Sequence, residues 1–378
     1  MSRTATRLAP GEKMPCVADL TDRPAVSPAR RRRWVAKAGL ALAGLLIGLV
    51  AAEVALRVAG FRYDLLPAGV QFGFPTPNVL ESMFVADPEV FWVRKGWAQD
   101  LDAARRRGVD VAFMGDSCTQ FADYDRRFVR IVADRGINPD LSILNAGVGG
   151  WSSRQGVRQM ERDIAPLAPK VVTIYYGWNE HWIGFGAEDK ELSEITESPI
   201  YRFRDLRIVQ LFDKLAVASK SRARVERAAQ DPANGRSSWP ARVSEDDFRA
   251  NLERMVDVAR SHGVAPVLVT APSTHELGKE PVQLLERHLT DLSMLVPLHQ
   301  RYVEIVRDVA RRRGVPLCDM ELRFAETLRA ERALGGDWKR RYFLADGIHF
   351  EREGMQKAAE FLFETFERSG LLARIRGN

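Results

Sequence analysis

Four short stretches carry residues whose types and spacing suit acyl-transfer chemistry. They are Gly115-Asp116-Ser117, the glycine turn Asn145-Ala146-Gly147-Val148-Gly149-Gly150, Gly177-Trp178-Asn179-Glu180, and Asp346-Gly347-Ile348-His349. A serine hydroxyl at its free pKa is a poor nucleophile and needs a base within hydrogen-bond reach. His349 can be that base for Ser117, and Asp346, three residues earlier on the same turn, can bond the other imidazole nitrogen. Such a bond fixes the tautomer and stabilises the imidazolium. Acyl transfer also needs donors aimed at the developing oxyanion. A backbone N–H at Gly150 and the side-chain amide of Asn179 are donors of that kind. Each stretch alone has a plainer reading. Gly-Asp-Ser makes ordinary turns and helix caps, Gly150 can bend a loop, Asn179 can cap a helix, and Asp346 to His349 can open one. Their joint occurrence, in this order and at the ends of strands, points to an active serine.

Bringing these residues together takes a scaffold whose strands all end on one side. An apolar strand from Val109 runs into Gly115 and is followed by a helix over 125–135. Further strands are predicted at 141–144, 171–176, 266–270 and 315–318, with helices at 153–164, 245–262, 296–313 and 351–368. Strands alternating with helices of these lengths predict an α/β fold with a doubly wound, mostly parallel five-stranded sheet flanked by helices. Ligands of open α/β sheets bind beyond the carboxyl ends of the strands, where these stretches fall. Gly115 is expected to permit the sharp turn into Asp116-Ser117.

In these four blocks the chain resembles the SGNH or GDSL-type hydrolases, over roughly residues 109–370. That family combines a Gly-Asp-Ser nucleophile, an oxyanion glycine, an oxyanion asparagine in Gly-x-Asn-Asp, and Asp-x-x-His. The resemblance implies a flavodoxin-like sheet and a serine esterase without a cofactor or metal. It implies a nucleophile at Ser117, the Asp346/His349 pair, and oxyanion donors from the Ser117 N–H, Gly150 and Asn179. Gly147 and Gly149 remain the other candidates for the glycine donor. Two positions depart from the family pattern: Glu180 stands where an aspartate is usual, and Cys118-Thr119 replaces the common leucine.

The chain has 378 residues and a formal charge of +6, most of it in one place. Residues 1–33 hold eight Lys/Arg against three Asp/Glu, and the remainder holds 48 against 47. The basic character therefore belongs to a tail, which argues against a nucleic-acid partner. Residues 1–33 read as a disordered cytoplasmic tail ending in Arg30-Arg31-Arg32-Arg33, and residues 34–58 as a transmembrane signal-anchor. A span takes roughly 17–25 residues, and arginines on its N-terminal side place that side in the cytoplasm. Partnership with the inner membrane through 34–58 puts everything after it in an extracytoplasmic or periplasmic space. Val50-Ala51-Ala52 also resembles a signal-peptide cleavage site, Arg31-Arg32 loosely fits a twin-arginine signal, and a buried core helix is the third possibility.

Residues 59–107 read as a linker or edge segment, and 108–378 as the hydrolase domain with a lid-like or surface insertion at about 183–244. Cys16, Cys118 and Cys318 offer no disulfide framework; Cys118 is a rival nucleophile, more simply a small buried side chain. His181, His275 and His349 with Asp116 match no standard zinc spacing. Trp151, Trp178 and Trp182 flank the oxyanion candidates and either stack on a sugar or pack beneath the loops. The expected function is an extracytoplasmic serine esterase acting on an acyl or O-acetyl ester of a cell-envelope or exported glycan or lipid. An O-acyltransferase on the same fold, or a non-catalytic glycan-binding protein, are the alternatives.

Overall fold

The computed structural model describes residues 28–61, 82–87, 89–183, 188–191, 202–203, 205–212, 214–215, 240–284, 289, 291–333, 335 and 338–377. The chain divides into two units, Met1–Phe61 and Arg62–Asn378. In the first unit, helix α1 spans Pro28–Val58. Its stretch Arg32–Val58, 27 residues whose most apolar 18-residue window has mean hydropathy 2.2, is long and apolar enough to cross a membrane. None of that window is buried in protein.

The second unit begins, among the described residues, with a hairpin of β1 (Phe84–Asp87) and β2 (Phe91–Arg94), followed by α2 (Trp97–Arg107). This part of the stretch read as a linker or edge segment is folded structure. Asp87 makes the turn by accepting the N–H groups of Glu89 and Val90, at 2.9 and 3.0 Å. Trp92 and Trp97 are buried in the core. Strands of only four residues leave too short an alternation to be read from sequence.

The main sheet comprises β3 (Val111–Gly115), β4 (Ile143–Gly147), β5 (Val171–Tyr175), β6 (Ala265–Val269) and β7 (Leu317–Cys318). All pairings are parallel, in the spatial order β4-β3-β5-β6-β7. This is the flavodoxin-like order, in which the chain leaves the first strand's two sides in opposite directions. The crevice at that switch point lies beyond β3, and Gly115 pairs with Gly147 on one side and Tyr175 on the other.

Helices cover both faces, so β3 reads as a continuous apolar run. Successive side chains point to opposite faces. Val111 and Phe113 enter one core with Phe128, Phe324 and Phe366, and Ala112 and Met114 enter the other with Trp92, Trp151 and Phe248. The principal covering helices are α4 (Tyr124–Asp134), α6 (Glu245–Ser261), α7 (Leu295–Arg313) and α10 (Arg352–Arg368). Shorter ones are α3 (Ser117–Gln120), α5 (Ser153–Gln159), α8 (Met320–Arg332) and α9 (Trp338–Tyr342). Most of the insertion at 183–244, read as a lid, lies outside the described residues, as do residues 1–27 and Cys16.

Candidate active site

Ser117 opens α3 at the end of the central strand, and Asp116 caps that helix by accepting the Cys118 N–H at 2.8 Å. The glycine before it serves closeness more than a special backbone angle. A Cβ on Gly115 would lie 2.2 Å from Thr119 Oγ1 and 2.7 Å from the Tyr175 carbonyl. On Gly147, one would lie 2.5 Å from the Gln120 N. Bare glycines at the ends of β3 and β4 thus let α3 settle directly onto the sheet.

His349 lies on the turn ahead of α10. Its Nε2 is 2.8 Å from Ser117 Oγ and its Nδ1 is 2.7 Å from Asp346 Oδ2. Asp346 Oδ1 in turn accepts the backbone N–H groups of Ile348 and His349, at 2.9 and 3.0 Å. Burial works against the Asp346 carboxylate, but the His349 bond and the two backbone donors outweigh it and hold its pKa near 2. An ionised Asp346 requires the proton on Nδ1, which leaves the Nε2 lone pair to accept from the Ser117 hydroxyl. Burial also opposes a charged His349, yet the bond and charge of Asp346, with the charge of Asp116, raise its pKa above the ordinary histidine value.

The turn after β4 has one conspicuous gap in its hydrogen bonding. The Gly147 N–H goes to Asn145 Oδ1, the Val148 N–H to the Gly115 carbonyl, the Gly149 N–H to Gln120 Oε1, and the Trp151 N–H to the Val148 carbonyl. Gly150 sits at φ 79°, in the left-handed region that suits glycine. Its N–H, like that of Ser117, has no acceptor among the described residues. Both residues are partly exposed, so these two donors, which follow adjacent strands, are open to a ligand. Gly147 and Gly149 have their N–H groups occupied, so Gly150 is the glycine able to receive a ligand.

Asn179 is held differently. Its Nδ2 donates to the Trp151 carbonyl at 2.9 Å and lies 3.2 Å from Asp116 Oδ2. An oxyanion would have to share a donor that already has partners. Glu180, the departure from the family pattern, is fully buried and braces this corner. Its two oxygens accept the N–H groups of Ser153 at 2.5 Å and Gly177 at 2.9 Å. Burial pushes its pKa up to about 7, and burial likewise lifts Asp116 to about 6. The longer side chain thus ties the turn after β5 to the start of α5.

Burial decides between the two readings of the tryptophans. Trp151, Trp178 and Trp182 are 0, 2 and 4% exposed, so their faces are not offered to a sugar. Trp178 stacks on His299 with centroids 3.9 Å apart, and Trp182 stacks on Trp178. Their flat apolar area is worth more beneath the loops than in water. His181 Nε2 meets His299 Nδ1 at 3.1 Å, and His275 Nε2 donates to the Asp346 carbonyl at 2.8 Å. The Cys118 thiol is buried and its pKa is pushed well up, which leaves it a poor rival to Ser117.

Three contributors escaped the sequence reading: Trp92, Asp189 and Arg242. Trp92 Nε1 donates to the Gly149 carbonyl, and the Trp92 carbonyl accepts the Trp151 indole N–H, both at 3.0 Å. Arg242 Nη1 donates to the Gly150 carbonyl at 2.8 Å while its fork holds Asp189. The available signal was charge at the two ends of a long insertion, which by itself looks like solvated surface.

A family model described as the GDSL-like lipase/acylhydrolase family matches residues 113–357. The sequence is similar to that of an uncharacterized lipoprotein, YqeF, of Bacillus subtilis (strain 168). The two are 26% identical over 233 residues, 57% of this chain and 72% of that protein. Similar solved structures include a lipase/acylhydrolase from Enterococcus faecalis, at 14% identity and TM-score 0.42, covering 69% of this chain and 96% of that one. Another is an acetylxylan esterase from Geobacillus stearothermophilus, at 17% identity and TM-score 0.40, covering 72% of this chain and 99% of that one.

Proposed function

Because this chain belongs to the GDSL-like lipase/acylhydrolase family, we propose that it hydrolyses acyl esters through an acyl-serine formed on Ser117. The observation that carries this reading is the continuous set of bonds from Ser117 Oγ through His349 to Asp346, at 2.8 and 2.7 Å. Ser117 Oγ bonds to the ester carbonyl carbon as its proton passes to His349 Nε2. The carbonyl oxygen becomes an oxyanion, met by the N–H groups of Ser117 and Gly150 with Asn179 in support. The C–O bond to the alcohol then breaks and Nε2 returns the proton to the leaving oxygen. Water adds to the acyl-serine by the same route, giving its proton to Nε2, and the acid leaves as Ser117 is reprotonated.

The base must be neutral to act, so activity is lost as pH falls through the His349 pKa. Asp346 stabilises the charged imidazole and raises that pKa. The acid limb of kcat/KM on a chromogenic acetyl ester should therefore lie above about 6.5, the unperturbed value. Asp346→Asn should move the limb to lower pH along with its loss of rate. A limb unmoved by this substitution would separate Asp346 from the proton transfer.

We place this chemistry outside the inner membrane, on an acyl or O-acetyl ester of an envelope or exported glycan or lipid. The apolar helix Arg32–Val58 and the arginines at its N-terminal end support one span with the N-terminus in the cytoplasm. A reporter fused after Asn378 should be active only outside the cytoplasm; cytoplasmic activity rules this placement out. Incubation of the full chain in detergent with a chromogenic acetyl ester and an acetylated glycan tests the reaction. Release of free acid supports hydrolysis, acceptor-dependent transfer favours an acyltransferase, and neither rejects catalysis.

A further inference from the structure

Gly150 is gripped through the carbonyls on both sides of its own N–H. A trans peptide is planar, so the Gly149 carbonyl and the Gly150 N–H point in opposite directions. Whatever holds that carbonyl aims that N–H. The holder is the Trp92 indole at 3.0 Å, from a side chain 1% exposed on the hairpin β1–β2. The following peptide is held at the Gly150 carbonyl by Arg242 Nη1 at 2.8 Å.

Arg242 is itself immobilised. Its side chain and that of Asp189 are wholly buried, with Nη2 to Oδ2 at 2.8 Å and Nε to Oδ1 at 3.2 Å. Ser152 Oγ donates to Asp189 Oδ2 at 2.7 Å. Backbone bonds from the Asp189 N–H to the Arg242 carbonyl, and from the Arg242 N–H to the Trp182 carbonyl, join the two ends of the insertion. A buried arginine fork of this kind is rigid, because neither charge can be left without the other.

We propose that Trp92 and Arg242 are positioning residues for oxyanion stabilisation. By fixing the two peptide planes that flank Gly150, they direct its unpaired N–H at the reacting centre. The proposal rests on the serine-esterase reading above. It makes the hairpin and the insertion ends working parts of the site, although neither carries a reacting group.

The test uses Trp92→Phe, which keeps a ring and removes the N–H, and Arg242→Lys, which keeps the charge and loses the fork. Trp97→Phe is the control. It removes a comparably buried indole that donates to Asp163 at 2.9 Å, away from the turn. The readouts on the full chain in detergent are kcat and KM on an acetyl ester, inhibition by an alkyl boronic acid, and melting temperature. A boronate on Ser117 places a charged oxygen in the oxyanion position, whereas KM reports chiefly the uncharged ground state.

Trp92→Phe and Arg242→Lys should each lower kcat about 10- to 100-fold, below the roughly 10²–10³ seen when a donor is deleted outright. KM should stay within about twofold, and boronate affinity should fall in step with kcat. Trp97→Phe should lower the melting temperature and leave kcat and boronate affinity unchanged. Equal kcat losses in all three variants, or losses confined to melting temperature, overturn the proposal. If either test variant fails to fold, the other carries the decision. If wild-type Ser117 is not labelled by a fluorophosphonate, the serine-esterase reading itself has failed, which is a different result from unchanged kcat in labelled variants.

Discussion

Ser117→Ala should lower turnover by on the order of 10⁶-fold and abolish covalent labelling by a fluorophosphonate. That corresponds to about 8 kcal/mol of transition-state stabilisation. The size follows from the removal of covalent catalysis itself, since the next residue offers no substitute. Cys118 is 1% exposed, and burial holds its thiol protonated. Stability should barely change, because the hydroxyl's bond is to His349 Nε2 at the half-exposed mouth of the site. Mass spectrometry of the labelled peptide identifies the modified atom's residue. Labelling that persists in Ser117→Ala and vanishes only with Cys118→Ser would transfer the role to the thiol.

His349→Ala should cost nearly as much as loss of the serine, because nucleophile and base act as one unit. The double variant with Ser117→Ala should then be no worse than either single one. Asp346→Asn should cost about 10⁴-fold. The asparagine keeps approximate shape, but it no longer supplies the charge that favours the imidazolium, and its amide can face Nδ1 with a donor. If Asp346 were only a turn-former, through its bonds to the Ile348 and His349 N–H groups, its loss would lower melting temperature and spare turnover. Comparing kcat and melting temperature for these variants separates the two roles. Near-normal turnover in His349→Ala rules out the mechanism proposed for this chain.

Much of this site is legible from local sequence. Ser117 follows a glycine at a strand end and His349 follows one on the turn before α10, and strand-to-helix alternation fixes which end of the sheet the serine reaches. The central strand is legible because it is buried on both faces and so carries an uninterrupted apolar run, Val111 to Met114. The hairpin is not legible, because its strands are four residues long and their burial depends on partners 57 and 59 residues away. The three tryptophans show the same limit. An aromatic ring beside a catalytic turn can face solvent or interior, and only the stacking partner, His299 for Trp178, decides.

The sequence by itself determined which groups could react, their order and their delivery to one edge of a parallel sheet. Those properties rest on residue type and on periodicity within single elements. Tertiary structure decided which glycine N–H is left unpaired, which carboxylates are lifted by burial, and which side chains hold the peptides that flank Gly150. Gly147, Gly149 and Gly150 are equivalent as letters. They differ because Asn145 and Gln120 take the first two N–H groups, while Trp92 and Arg242 hold the carbonyls on either side of the third. Asn145 is a near neighbour of Gly147, but Gln120, Trp92 and Arg242 lie 29, 57 and 92 residues from the groups they hold, and such partners meet only once the chain has folded.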